Sequence, residues 1–142
     1  WLLAGLDKFA GDQVRSRAAS PKLLALNTAL ISAQLSQNFQ TARNDGELWG
    51  RLVESAVGAH LYNTRLPGME IQYWREHNHE VDFVIRYGAK LLAVEIKSGR
   101  NKGVLAGLQT FRSSFADATA LVAGSGGIPL DLFLSTPVDV WM

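Results

Sequence analysis

The sequence predicts one α/β domain built on a mixed β-sheet with helices packed against it. Three consecutive strand patterns between residues 70 and 97 predict an antiparallel meander, and a helical pattern followed by a buried strand comes directly after it. A helix between two strands permits a right-handed crossover, so the last strand is expected to lie parallel to the third meander strand. A chain of 142 residues, 47% of them hydrophobic, is long enough for one core of this kind.

The N-terminal segment has the weakest pattern. Residues 1–19 are apolar at first and then polar without periodicity, and they are interpreted as an arm or as the end of an upstream domain, with the domain proper over 20–142. Trp1 in place of Met indicates a fragment of a longer protein. A short strand over 22–26 is expected to follow.

The first helices are predicted from caps and periodicity. A helix over 28–35 is expected with Asn27 as its N-cap, followed by a polar loop through Asp45. The helix over 46–62 is amphipathic, with Glu54 at the margin of its apolar face. That face consists of Trp49, Leu52, Val53, Ala56, Val57 and Leu61. His60 lies within the face and is interpreted as a hydrogen-bonded structural histidine.

The meander is expected to contain a tight hairpin. A strand over 70–75 and a loop over 76–79, with two histidines interpreted as exposed, precede the strands at 80–86 and 92–97. If Gly88-Ala89 forms a type II′ turn, Tyr87 pairs with Lys90 and the numbers of every opposed pair sum to 177.

This register brings acidic residues together. Asp82 is placed opposite Glu95 and Glu80 opposite Lys97, and alternation directs all four side chains to one face. The opposite face is expected to hold Val81, Phe83, Ile85, Val94 and Ile96. Two opposed carboxylates repel unless a proton or a cation intervenes, and Mg²⁺ or Mn²⁺ held by two carboxylates and waters would relieve that repulsion. The alternative is an ordinary Glu80–Lys97 ion pair on a solvated strand face.

The C-terminal part is predicted to contain one helix and several strands. The helix is expected over 102–115, although two glycines weaken it, and a buried strand over 119–123. The segments 132–134 and 138–141 are predicted to be short edge strands or loop.

Composition narrows the functional classes. The absence of cysteine excludes disulfides and thiolate catalysis, and no stretch of 18 apolar residues or secretion signal occurs, so a cytoplasmic protein without a membrane segment is expected. A net charge of +1 lacks the strong basic footprint of many nucleic-acid-binding proteins. Arg75, Lys97, Arg100 and Lys102 nevertheless provide local cations that could contact a few phosphates.

Several motifs, in their order along the chain, resemble a known family. They are Ser20-Pro21-Lys22-Leu23, Gly50-x-Leu52-x-Glu54-x-x-Val57-x-x-x-Leu61, Tyr73-Trp74-Arg75, Glu80-Val81-Asp82-Phe83-Val84-Ile85 and Val94-Glu95-Ile96-Lys97-Ser98-Gly99. Together they are similar to the PD-(D/E)xK nuclease core, the restriction-endonuclease-like fold. They more closely resemble the domain of unknown function that follows an AAA-type ATPase domain in prokaryotic proteins. Asn27-Thr28-Ala29-Leu30 departs from the Asp-Thr-Gly-Leu usual there.

The resemblance implies a site and an activity. It assigns Asp82 and Glu95 as ligands of Mg²⁺ or Mn²⁺, Lys97 as the catalytic lysine and Glu54 as a further catalytic carboxylate. Substrate contacts are expected from Arg75, Glu80, Arg100 and Lys102. The implied function is a metal-dependent phosphodiester hydrolase of DNA.

The expected partners follow from the same resemblance. The sequence has no phosphate-binding loop, so the ATPase domain is expected upstream of Trp1. The alternative function is a noncatalytic nuclease-like module that binds nucleic acid or protein and regulates an ATPase. A purely structural role for the acidic residues and a homo-oligomeric state are also left open.

Overall fold

The computed structural model describes residues 2–11, 20–99 and 105–142. Its strands are β1 (Leu3–Lys8), β2 (Lys22–Ala25), β3 (Glu70–Glu76), β4 (His79–Tyr87), β5 (Lys90–Lys97) and β6 (Thr119–Gly124). Its α-helices are α1 (Thr28–Gln34), α2 (Phe39–Asn44), α3 (Gly46–Thr64), α4 (Ala106–Ser114) and α5 (Leu130–Ser135), and a 3₁₀ turn covers Val138–Trp141.

The six strands form one mixed sheet in the order β2-β1-β3-β4-β5-β6. β1 is parallel to β3 and β5 is parallel to β6, whereas the remaining neighbours are antiparallel. Strands β3, β4 and β5 form the predicted meander, and α4 connects β5 to β6 in the predicted crossover. The α/β class and the mixed sheet are therefore confirmed.

The interpretation of the N-terminal segment as an arm is wrong for residues 3–8. Strand β1 lies between β2 and β3, and Leu6 and Phe9 are buried. The error has a physical cause: Asp7 and Lys8 interrupt the apolar pattern, but both pair in parallel with β3, where main-chain hydrogen bonds hold the strand. The rest of that segment, 12–19, lies outside the described residues.

Three short helical elements were predicted incorrectly. The predicted loop before Asp45 contains α2, which Asn38 caps by accepting a hydrogen bond from the Thr41 amide. The segments 132–134 and 138–141, predicted to be short edge strands or loop, instead lie in α5 and the 3₁₀ turn, each of which begins directly after a proline. Apolar runs of three or four residues carry too little periodicity to distinguish helix from strand.

The longer helices agree with the sequence. Asn27 caps α1 as predicted, and Asp45 caps α3 by accepting hydrogen bonds from the amides of Glu47 and Leu48. Helix α4 begins later than predicted, at Ala106, and residues 100–104 lie outside the described part of the chain.

Two buried clusters lie on opposite faces of the sheet. The first includes Phe83, Ile85 and Val94 with the apolar face of α3, and the second includes Val84 and Ala93 with α4. The sheet is therefore covered on both sides along β4 and β5, which explains why these strands are almost continuously apolar.

Candidate functional site

The β4–β5 hairpin has the predicted turn and register. Gly88 has φ +59°, Ala89 does not adopt positive φ, and Tyr87 pairs with Lys90, as a type II′ turn requires. The paired ladder extends from there to Phe83 and Val94.

Beyond that pair, a bulge in β4 changes the predicted alternation. Val84 pairs with Gln72 and Val81 with Trp74, so two residues of β4 face a single residue of β3. Phe83 consequently packs in the first cluster and Val81 in the second, whereas alternation predicted one common face for them. Asp82 lies between them, within the bulge.

Asp82 is held at the end of the hairpin by the backbone of β5. Its Oδ2 accepts a hydrogen bond from the Ile96 amide at 2.7 Å. Burial of the carboxyl and, to a smaller extent, the negative charges of Glu95 and Glu54 together raise the Asp82 pKa to about 7, although the Ile96 amide and Lys22 act to lower it. Asp82, Glu95 and Glu54 therefore lie close enough to influence one another electrostatically.

Glu95 and Lys97 form an ion pair on β5. Lys97 Nζ lies 2.9 Å from Glu95 Oε1, and both side chains are largely buried. The other oxygen, Oε2, is buried without a hydrogen-bond partner among the described residues. A buried carboxylate oxygen without a partner is energetically unfavourable, so this oxygen is available to a cation.

The predicted pairing of Glu80 with Lys97 is wrong. Glu80 instead forms ion pairs with Lys22 Nζ and, at 3.2 Å between Oε2 and Nε, with Arg75. The bulge is the reason, because it directs Glu80 away from the face of Lys97 and toward the side of the sheet where Lys22 lies 5.1 Å above the Tyr73 ring.

Lys22 is the site residue that the sequence analysis missed. It stands in the Ser20-Pro21-Lys22-Leu23 motif, which was the available signal. No local pattern indicated that the β2 strand would reach the acidic end of β4.

Glu54 reaches the site because α3 passes close to the end of β5. A Cβ atom on Gly50 would lie 3.5 Å from Ser98 Oγ, so the helix and the strand end approach closely there. Glu54 follows one helical turn later on the same side. It also lines a groove of about 390 Å³ between β2, α1 and α3.

Two glycines allow the neighbouring backbone to support the site. A Cβ on Gly107 would lie 2.0 Å from the Glu80 carbonyl oxygen, so only glycine lets the start of α4 pack there. A Cβ on Gly124, whose φ is +106°, would lie 2.1 Å from the Lys97 carbonyl oxygen, which accepts a hydrogen bond from the Ser125 amide.

A family model matches this part of the chain. The model described as "Domain of unknown function (DUF4143)" matches residues 49–132, which are 84 of the 142 residues. The chain belongs to the DUF4143 family. No curated protein and no solved structure matches it.

The DUF4143 match includes α3 from residue 49 onward, the hairpin, α4 and β6. It therefore includes the four principal candidate residues, which are Glu54, Asp82, Glu95 and Lys97. The predicted substrate contacts Arg100 and Lys102 lie outside the described residues. Arg75 is exposed and paired with Glu80.

None of the helices in the described ranges has the length and hydropathy that crossing a membrane requires.

The histidines of the DUF4143 chain do not join the site. His60 Nε2 lies 2.8 Å from the Thr136 carbonyl oxygen and its ring contacts Phe133, as expected of a structural histidine. His77 is exposed, and His79 pairs with Glu76 at the start of β4.

The acidic residues match the ligand chemistry of a hard divalent ion. Within the described residues, no group of three or more His, Cys, Asp or Glu side chains is arranged to hold a metal. Mg²⁺, however, is commonly held by one or two carboxylates, with waters completing its coordination. Asp82 and the unpartnered Oε2 of Glu95 provide that number of ligands.

Proposed function

We propose that this DUF4143 domain is a Mg²⁺- or Mn²⁺-dependent phosphodiester hydrolase acting on DNA. The observation that carries the proposal is the meeting of Asp82 and Glu95 at the end of one hairpin, where burial and mutual repulsion raise the Asp82 pKa to about 7. A carboxyl whose ionisation is disfavoured by burial and by a neighbouring carboxylate, beside a half-buried lysine, is a frequent signature of a functional site. The resemblance to the PD-(D/E)xK nuclease core supports the same assignment.

Each residue has a role in this proposal. Asp82 and Glu95 hold the divalent ion, which supplies Lewis acidity toward a phosphate. The Lys97 ammonium, positioned by Glu95, stabilises negative charge that develops on the phosphorus oxygens. Glu54, on α3, uses its carboxylate to orient a water molecule or another group next to the ion.

The setting of the domain is also a proposal. The resemblance favours a position after an AAA-type ATPase domain, which would couple this site to nucleotide hydrolysis elsewhere in the protein. One site cuts one strand at a time, so a single copy would nick or trim DNA, and cutting both strands would require two copies.

A noncatalytic module is the second candidate. The observation in its favour is that both acids already have partners, Asp82 in the Ile96 amide and Glu95 in Lys97. In this function the domain binds nucleic acid or protein and regulates an ATPase.

Cleavage of DNA by matched variants tests the proposal. We expect the wild type, with Mn²⁺, to cleave supercoiled plasmid or a labelled single strand, and Asp82→Asn to lose at least about 100-fold of that rate, because a ligand of the ion is removed. Asp117→Asn, an exposed aspartate outside the site, is the control and should retain the rate.

Calorimetric titration with Mn²⁺ separates the two candidates. Mn²⁺ binding that depends on Asp82, together with cleavage, supports the hydrolase. Equal cleavage by wild type and Asp82→Asn would exclude the hairpin as the active site. Wild-type protein that leaves both substrates intact favours the noncatalytic module.

A further inference from the structure

A second cavity lies at the end of β1, beside β3 and the C-terminal end of α4. Its volume is about 430 Å³, within the range of about 300–1,000 Å³ typical of ligand sites. The side chains that define its chemistry are Lys8, Phe9, Trp74, Arg75, Ser114 and Phe115. The cavity thus combines an aromatic wall with two cationic side chains.

The aromatic wall is held rigidly by the second buried cluster. Phe9 and Phe115 meet edge-on with ring centroids 5.2 Å apart, and Trp74 meets Phe111 edge-on at 5.4 Å. Phe9 and Trp74 are buried, whereas Phe115 is partly exposed and offers its ring to the cavity. A planar ligand could therefore pack against Phe115 without rearranging the cluster.

The charged lining identifies the class of ligand. Aromatic rings beside cationic groups are the combination that binds single-stranded nucleic acid, because bases stack on the rings and phosphates contact the cations. Glu76 also lines the cavity, so with Lys8 and Arg75 the lining carries more positive than negative side chains. A carboxylate there can accept a hydrogen bond from an amino group of cytosine.

The cavity is connected to the candidate active site through Arg75. Arg75 lines the cavity and also pairs with Glu80, which lies two residues before Asp82. We propose that this cavity binds an unpaired nucleotide of single-stranded DNA and thereby leads the strand toward the acidic end of the hairpin. The inference rests on the proposed function and specifies its substrate, because the bases of a duplex are stacked and cannot enter the cavity.

Binding without metal tests this inference separately from catalysis. Fluorescence anisotropy in EDTA would measure the affinity of a labelled 12-nucleotide single strand and of the corresponding duplex. We expect the single strand to bind at least about fivefold more tightly than the duplex, because stacking of one base on an aromatic ring supplies at least that much affinity. Raising the salt concentration should weaken binding, and Arg75→Gln should lower the slope of log K against log salt by about 0.7.

Two adjacent serines provide a matched pair of variants. Ser114 lines the cavity and Ser113 does not, yet both lie in the last turn of α4 and hydrogen-bond to the carbonyl four residues earlier. Ser114→Glu places a negative charge in the cavity and should weaken single-strand binding at least about fivefold, whereas Ser113→Glu should change it less than about twofold. Phe115→Leu keeps an apolar side chain but removes the ring, and should also weaken binding.

Several results would overturn the inference. They are a wild type that does not bind the single strand, equal affinity for the duplex, or equal losses in the two serine variants. Asp117→Asn, the exposed control outside both sites, should bind the strand like the wild type. If Asp82-dependent cleavage occurs while Ser114→Glu binds normally, the cavity assignment fails but the hydrolase stands. If strand binding follows the serine pair but no cleavage occurs, the hydrolase fails instead.

Discussion

At the scale of single residues, the acidic site is one in which burial opposes the ionisation of Asp82. The Asp82 carboxylate accepts a hydrogen bond from the Ile96 amide, while burial, Glu95 and Glu54 all disfavour its ionisation. Glu95 forms an ion pair with Lys97 through Oε1, and no described residue hydrogen-bonds its Oε2. The protein is therefore destabilised by its own site unless a proton or a cation is present.

The pH dependence of stability should reveal this cost. The Asp82 pKa lies at about 7 in the folded chain, against an ordinary value of 3.8, so between these pH values the folded state binds more protons than the unfolded state. Stability must then fall as the pH rises through this window, by at most about 1.4 kcal/mol per pH unit from this group.

Urea denaturation of wild type and Asp82→Asn in EDTA, from pH 4 to pH 8, measures the effect. We expect the variant to lose this component of the decline and to be the more stable protein at pH 8, because an amide keeps an acceptor for the Ile96 amide without the charge. Parallel stability profiles for the two proteins would contradict the assignment.

At the scale of elements, the site depends on how closely α4 approaches β4. The bulge at Asp82 and the contact between Gly107 and the Glu80 carbonyl lie next to each other along β4. Gly107 was judged from the sequence only as a weak helix former. Its actual role is steric, since any larger residue would push α4 away from the strand.

Gly107→Ala should therefore destabilise the protein by about 1–3 kcal/mol, despite the better helix propensity of alanine. Gly46→Ala is the control, because a Cβ on this first residue of α3 meets no atom within 4 Å. It should be neutral or stabilise by up to about 1 kcal/mol. Thermal denaturation would compare the two, and equal effects would show that the close approach is unimportant.

At the scale of the whole molecule, the N-terminal strand β1 joins β2 to the meander in one sheet. In the sheet, β1 lies between the β2 strand, which carries Lys22, and the meander, which carries Asp82 and Glu95. Leu6 on β1 is 1% exposed and belongs to the first cluster. The segment first interpreted as an arm therefore holds two parts of the site together.

Leu6→Ala should lower the free energy of unfolding by about 2–5 kcal/mol, as expected for a fully buried leucine. Leu23→Ala on β2 removes the same atoms from a side chain that is 79% exposed, and should cost less than about 1 kcal/mol. Chemical denaturation measures both. A Leu6 variant as stable as the Leu23 variant would contradict the central position of β1.

The sequence by itself determined the features that depend on neighbouring residues. Turn chemistry at Gly88 predicted the hairpin register, the cap at Asn27 was predicted from local sequence, and the hairpin placed Asp82 near Glu95. These predictions are correct because each feature is determined by contacts within a few residues or across one tight turn.

Only the tertiary structure decided the features that depend on distant segments. The bulge that turns Glu80 toward Lys22 arises from the pairing of β4 with β3, and β1 became a central strand because β2 and β3 lie on either side of it. The aromatic cavity likewise joins Phe9 to Phe115, more than a hundred positions away. No local pattern encodes such neighbours, since they are fixed by packing of the complete sheet.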